Sequence, residues 1–355
     1  MIVRAIVVVL VVTLVAFQRG EEARGKVGAA DELTLAQQVG QLIVLSFSGA
    51  TAPEYVRTAV RERRVAGVIL FGGNITGPSQ LRELTGGLRH EGGRPIVAVD
   101  QEGGSVRRLS WAGPVPAQPE QLRRGTVRAD AAAAARELRA SGVNVTLAPV
   151  ADVPSVPGAA LAGRAFSSDP RAASDAMRAA VRGWRSGGVA ATAKHFPGIG
   201  GAPANTDDAI VTIRRSRAGL EAVDLLPFAA AIDAGIPLVM VGHARYSALD
   251  RNRIASQSQP IIEGVLREEL GFRGVVVTDS MEARASLATG SITKVSDRAV
   301  RAGVDLLLLT GRGSYRPVYD HLLALARRSP AFRTRVQESA ARVLELKRRA
   351  AQPPR

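Results

Sequence analysis

From Asp31 onward the chain alternates short apolar, β-branched runs with longer amphipathic stretches. The runs are LIVLSF from Leu42, GVILF from Gly67, IVAV from Ile96 and VNVTLA from Val143, then VAATA from Val189, LVMV from Leu238, VVVT from Val275 and VDLLLL from Val304. Continuous apolar runs bounded by turn residues predict strands buried on both faces. Between them lie helix-like segments such as Asp130 to Ala140, Arg171 to Arg185, Ile261 to Leu270 and Val318 to Arg328, and a charged amphipathic stretch from Phe332 to Arg349 closes the chain. Eight strands, each followed by a helix, is the count of an α/β chain folded as a (β/α)8 TIM-type barrel. A doubly wound open sheet would call for a glycine-rich phosphate loop after its first strand, and SFSGATAP offers none. No low-complexity linker divides the chain, so one domain is expected over about residues 31–350.

In such a barrel, chemistry sits at the C-terminal strand ends. Strand 3 ends in Asp100-Gln101-Glu102-Gly103-Gly104, strand 4 runs into Pro149-Val150-Ala151-Asp152, and strand 5 ends in Lys194-His195-Phe196-Pro197-Gly198. His243 follows strand 6 and Asp279 follows strand 7. Singly, each has a structural explanation: an Asp capping the next helix, or a His satisfied in the core. Five polar strand ends converging on one rim point instead to a site. His195, His243 and an Asp are the nearest approach to a metal set, but no H-x-x-x-H or H-x-H pair exists and Lys194 would repel a cation, so neither metal nor cofactor is expected. Without a G-x-S-x-G elbow a serine hydrolase is disfavoured. Paired carboxylates with hydroxyl-binding partners fit cleavage of a glycosidic bond.

Composition refines this picture. Aromatic content is 4%, so the core must rest on Val, Leu, Ile and Ala. The absence of cysteine removes disulfides, thiol catalysis, Cys-ligated zinc and attachment of lipid through an N-terminal Cys. The net charge of +15 would suit an anionic polymer or membrane surface, but no long Lys/Arg run occurs, and arginine scattered over helix surfaces is the simpler reading. Basic residues are not interleaved with aromatics, so nucleic-acid binding is not expected. Residues 1–29 read as a targeting segment: Arg4 precedes a thirteen-residue apolar run from Ala5 to Phe17, too short for a comfortable span yet suited to a signal-peptide core. The small-residue triplet Val27-Gly28-Ala29 lies rather far downstream for cleavage, so secreted and membrane-anchored forms both remain open. Either places the protein outside the cytoplasm.

Five segments, in order, resemble glycoside hydrolase family 3, specifically its short single-domain β-N-acetylglucosaminidases. VAVDQEGGSVRRL resembles the family's D-Q-E-G-G-x-V-x-R-L segment, and APVADV its strand 4 end. GRAFSSDP resembles its G-x-R-x-F-x-x-D-P turn, KHFPGIG its K-H-F-P-G-H-G loop and GFRGVVVTDSMEA its nucleophile strand. The likeness runs from about Leu35 to Thr310. It implies a retaining exo-glycosidase acting on terminal β-linked N-acetylglucosamine, with cell-wall (peptidoglycan) fragments as the substrate. Asp279 would be the nucleophile. Asp100, Arg164, Lys194 and His195 would hold the sugar hydroxyls, Arg108 and His243 would support them less directly, and Met281 would sit beside the nucleophile. β-Glucosidase or β-xylosidase specificity, or a carbohydrate-binding wall protein with little turnover, are the alternatives.

The sequence departs from the pattern at one place. In the short members an Asp-Ser-His triplet after strand 5 supplies the acid/base. Larger members take it from a second domain, for which this chain is expected to have no room. Here the triplet falls on Asn205-Thr206-Asp207, and Ile199 replaces the preceding His of H-G. Asp207 is therefore the expected acid/base. Its pKa of about 3.9 would need raising, by burial under a closing loop or by Asp208. Asp208 in that role, or an inactive surface turn, are the competing readings.

Overall fold

The computed structural model describes residue 30, residues 32–204 and residues 206–352. The targeting segment 1–29 and Asn205 therefore lie outside the described residues. Eight parallel strands close into a barrel: β1 (Ile43–Leu45), β2 (Gly67–Leu70), β3 (Ile96–Val99), β4 (Val145–Thr146), β5 (Ala190–Phe196), β6 (Leu238–Val241), β7 (Val275–Ser280) and β8 (Leu306–Leu309). Neighbours pair in chain order, Gly67 opposite Ile96 and Val275 opposite Leu238, and β8 returns to β1 with Leu307 opposite Ile43. The predicted (β/α)8 architecture is what forms, and every predicted strand overlaps an observed one.

Alternate residues along each strand serve two different cores, as a pleat with period two requires. Val44, Ile69, Ala98, Val145, Met240, Val277 and Leu306 meet inside the barrel, together with Val343 and Leu346 of the last helix. Ile43, Leu45, Val68, Val97, Val239, Val276 and Leu307 face outward and pack under the helices. Both faces of each strand are thus covered, which is why the sequence shows runs rather than alternation. The helices are α1 (Leu35–Gly40), α2 (Glu54–Arg61), α3 (Pro78–His90), α4 (Val127–Ala140), α5 (Pro170–Ser186) and α6 (Leu226–Asp233). They continue with α7 (Pro260–Glu269, of π type), α8 (Ile292–Ala302), α9 (Tyr315–Arg328) and α10 (Pro330–Ala350). The low aromatic content is met by close helix approach. A methyl on Gly183 of α5 would sit 2.4 Å from the Arg128 carbonyl oxygen of α4, so only glycine allows this spacing.

The barrel's N-terminal face is locked by charge. Asp305, just before β8, is fully buried and receives Arg267 of α7 at 2.6 Å and Arg335 and Arg342 of α10 at 2.6 and 3.0 Å. The Val276 amide also donates to it, at 3.0 Å. Burial alone would raise its pKa, but the three guanidiniums hold it below the ordinary carboxylate range.

Removing this hub takes away the one buried carboxylate that the three cations share, leaving Arg267 and Arg335 only Glu263 and Glu338. Asp305→Ala is therefore expected to cost about 3–5 kcal/mol, read as a drop in the urea midpoint, while the folded fraction keeps its turnover because the C-terminal rim is untouched.

Candidate active site

At the opposite, C-terminal face the strand ends bring one set of groups together. Asp100 follows β3, and its Oδ1 accepts from Lys194 Nζ of β5 at 2.9 Å. The same ammonium lies 2.6 Å from Glu102 Oε1, and Arg164, on the turn after β4, grips Glu102 with two bonds of 2.8 and 2.6 Å. Arg108 completes the rim 3.5 Å from Asp100 Oδ2, its guanidinium stacked over Phe71. Lys194 and Glu102 are both buried. For Glu102, burial raises the pKa, but Lys194 and Arg164 outweigh it and bring it down to about 2. Burial disfavours the Lys194 cation, and Asp100 and Glu102 restore it, so its pKa ends above the usual value. Glu102, Lys194 and Arg164 are thus ionised near neutral pH, with oxygens and N–H groups suited to vicinal hydroxyls.

His195 is held from behind. Asp152, at the end of strand 4 and fully buried, accepts from His195 Nδ1 at 2.8 Å and from its backbone N–H at 3.1 Å, and its other oxygen accepts from the Ile199 amide at 2.7 Å. A carboxylate can only accept, so the ring donates through Nδ1 and turns Nε2 to the cleft, 3.9 Å from Asp279 Oδ2. Asp279 lies within β7 near its C-terminal end, with 20% of its side chain exposed. Burial opposes its ionisation, but His195, the Ser280 N–H (2.7 Å) and Lys194 together lower its pKa. It is therefore a carboxylate at neutral pH and partly open to the cleft, the state a nucleophile needs.

His243 and Met281 support rather than line this cleft. His243 is fully buried: Nε2 donates to the Ser280 carbonyl and Nδ1 accepts from Ser256, both at 2.8 Å, and burial lowers its pKa so that it stays neutral. Met281 is fully buried as well, its amide tied to Leu308. Both lie behind Asp279, so direct contact of either side chain with a ligand in the cleft is not what this geometry provides.

Asp207 sits on the loop after β5, whose course is closely constrained. At Gly200 an added methyl would meet the Val153 carbonyl oxygen at 1.9 Å, so the loop passes hard against strand 4's extension. Further on, Thr212–Ile213 pairs with Arg245–Tyr246, and Arg215 bonds Ser155 at 2.5 Å and lies 2.8 Å from buried Asp224 as an ion pair without hydrogen-bond geometry. Burial pushes Asp224 up to about 7 against the pull of Arg215. At its tip the loop reaches the nucleophile's own loop, where Arg284 N–H donates to the Asp207 carbonyl (3.2 Å) and Ala285 N–H to that of Thr206 (3.3 Å). The Asp207 carboxylate in turn favours protonation of His243. Asp207 and Asp208 are both exposed, so the burial expected to raise the acid's pKa is not supplied by the protein alone.

Two residues of the site escaped a role in the sequence. Glu102 and Asp152 stood in the quoted motifs as polar strand ends, but only the fold shows that one clamps Lys194 and Arg164 and the other orients His195. Among the described residues, no group of three His, Cys, Asp or Glu is placed to hold a metal.

Comparison with known proteins settles the family. The profile of the Glycosyl hydrolase family 3 N terminal domain matches residues 34–346. The chain belongs to glycoside hydrolase family 3. A protein named beta-hexosaminidase from Xanthomonas oryzae pv. oryzae is 36% identical over 279 residues, covering 76% of this chain and 83% of that one. Another from Nitrosomonas eutropha is 34% identical over 278 residues, covering 75% and 80%. The solved beta-N-acetylhexosaminidase from Beutenbergia cavernae superposes with a TM-score of 0.82 at 35% identity, over 89% of this chain and 98% of that one. A family 3 beta-N-acetylglucosaminidase from Paenibacillus superposes at 0.86 with 34% identity, over 90% of this chain, which spans 63% of that longer protein. This family 3 barrel is thus a glycoside hydrolase, and the clustered rim is its candidate active site.

Within it, Asp152 reaches the cleft only through His195. Asp152→Asn keeps the shape but replaces an acceptor with an amide, so kcat/KM should fall about 10- to 150-fold, the value of a hydrogen bond to a charged group. An unchanged kcat/KM on an aryl glycoside would show that His195 needs no such orientation.

Proposed function

We propose that this protein hydrolyses terminal β-linked N-acetylglucosamine with retention, through a covalent glycosyl intermediate on Asp279 and with Asp207 as acid/base. The observation that supports this reading is the direct backbone tie between Asp207 and Thr206 and the loop that follows Asp279, through the Arg284 and Ala285 N–H groups. The names of the relatives support the sugar.

In this reading Asp100, Lys194, Arg164 and His195 bind the hydroxyls of the terminal sugar, with Arg108 behind Asp100. Asp279, held ionised, attacks the anomeric carbon as the oxocarbenium-like transition state forms. Asp207, protonated, gives its proton to the leaving oxygen; then, as a base, it takes one from water that releases the sugar. Because Asp207 is exposed, the bound saccharide must desolvate it, so its protonation is a property of the complex. Fragments of peptidoglycan reached outside the cytoplasm are the proposed substrate. The apolar run from Ala5 to Phe17 supports that location.

Five measurements test this. An activated 2-fluoro sugar should leave a mass-labelled peptide containing Asp279, and release from an aryl N-acetylglucosaminide should exceed that from the aryl glucoside. Asp279→Ala with near wild-type turnover would overturn the nucleophile assignment. Asp207→Ala should slow substrates with poor leaving groups far more than activated aryl glycosides, since only the former need a proton; equal losses would remove Asp207 from the acid role. Finally, a carboxylate at this position repels phosphate as a second acceptor. Reactions in phosphate buffer should therefore yield free sugar, and sugar 1-phosphate as the main product would contradict that role.

A further inference from the structure

The expectation that arginines are merely scattered fails at one place on the barrel's N-terminal face. A cavity of about 360 Å³ opens there between the ends of α3, α4 and α10, lined by Arg89, Arg94, Arg139 and Lys347 and by no carboxylate. Its volume is roughly that of a dozen waters. Among the described residues none of these four cations is ion-paired, in a protein where most arginine contacts are with Asp or Glu. Arg139 is spent on the Gly188 and Gln352 carbonyls, at 3.0 and 3.3 Å. Lys347 is the decisive group. It is 93% buried, and its one partner is the neutral Gln41 Oε1 at 2.8 Å. Burial, reinforced by Arg63, pulls its pKa down to about 7. A buried amine so placed lacks an anion.

We propose that this pocket binds a phosphate group, supplied by the headgroup of an anionic lipid at a membrane surface. The chain's own course favours that source. Lys347 bonds Gln41, the residue that ends α1, and α1 packs on α9 and α10, so the described chain begins on this face at Ala30. The twenty-nine residues before it contain the apolar run from Ala5 to Phe17. The described chain thus begins on the face that carries the pocket, and the candidate active rim lies at the opposite end of the barrel. Export is used here only to choose the source of the phosphate; the pocket is independent of the glycosidase reading, and turnover of an aryl glycoside reports separately on that.

The test uses the full chain with phosphatidylcholine vesicles, with and without phosphatidylglycerol. The wild type should prefer the anionic vesicles. Arg89→Ala/Arg94→Ala should weaken that preference about 25-fold, near fivefold per cation. Arg128→Ala/Arg136→Ala removes equal charge from exposed positions of α4 and should change it less than about twofold. Equal effects of the two pairs would mean that the overall charge of +15 acts without a pocket, overturning the proposal. In a second arm, inorganic phosphate at constant ionic strength should raise the melting temperature of the wild type but not of Lys347→Met. A shift that survives in Lys347→Met, or in the Arg89/Arg94 variant if the former fails to fold, would also overturn it. A phosphate shift without any vesicle preference would assign the pocket to free phosphate and overturn the headgroup.

Discussion

The active rim depends on one buried cation. Lys194 belongs to β5, yet both its carboxylate partners belong to the segment after β3, and Arg164 from the turn after β4 closes the group onto Glu102. Three successive strand ends are thereby fixed to one another by charge–charge bonds of 2.6–2.9 Å. A buried ammonium is tolerable only with such partners, so the sugar-binding surface and the local fold stabilise together. The same arrangement sets the pH range of the site. Glu102 has a folded-state pKa of about 2, below its unfolded value near 4.5. Its contribution to stability is complete above the unfolded value and disappears as pH falls through the folded one. The rim thus remains assembled at any mildly acidic pH at which a carboxylic acid/base could be protonated.

Much of this was legible in the residues. Strand runs such as IVAV and LVMV announced their elements because both faces of a barrel strand are covered, and the catalytic rim was legible because polar residues interrupt those runs at their C-terminal ends. Boundaries were less legible. VNVTLA forms only a two-residue ladder, Val145–Thr146, because the chain then swings out toward Asp152. The short rim ladders, Gln101–Gly103 with Val106–Arg107 and Thr212–Ile213 with Arg245–Tyr246, left no readable periodicity at all. Partnership was least legible. Nothing in the spacing of Glu102 and Arg164, sixty-two positions apart, says that they meet. Nor does the sequence say that the His195 ring is held by Asp152 while His243 is held by Ser256 and the Ser280 carbonyl, because those partners come from other strand ends.

The two ends of the barrel use charge in different ways. At the N-terminal face Asp305 collects three arginines and is satisfied, whereas Lys347 a short way along α10 has only an amide. The first arrangement locks helices to strands. The second leaves a cation whose burial is uncompensated within the described chain. At the C-terminal face, by contrast, every buried charge of the rim has an opposite within reach, and Asp279 alone keeps an open side. A charge that is paired is held still, and one that is left open is available to a ligand. Asp279 and Lys347 illustrate the second case at the two ends of the barrel.

The division between strand-held and loop-held groups follows the demands of the reaction. A nucleophile must stay ionised and aligned, and Asp279 has both from β7, its Ser280 N–H bond and His195. An acid/base must instead change protonation within each turnover, which a group locked among fixed cations cannot do. Asp207 is exposed on a loop whose backbone is anchored at Arg284 and Arg215, while its side chain stays within the field of the site. In the proposed mechanism, a carboxylate where the resembling short members carry His keeps the proton-transfer role but removes a group that can be neutral when deprotonated. What the second acceptor meets is then a negative charge, which water tolerates and an anion does not. The substitution thus acts less on whether the bond is cleaved than on what takes the sugar away.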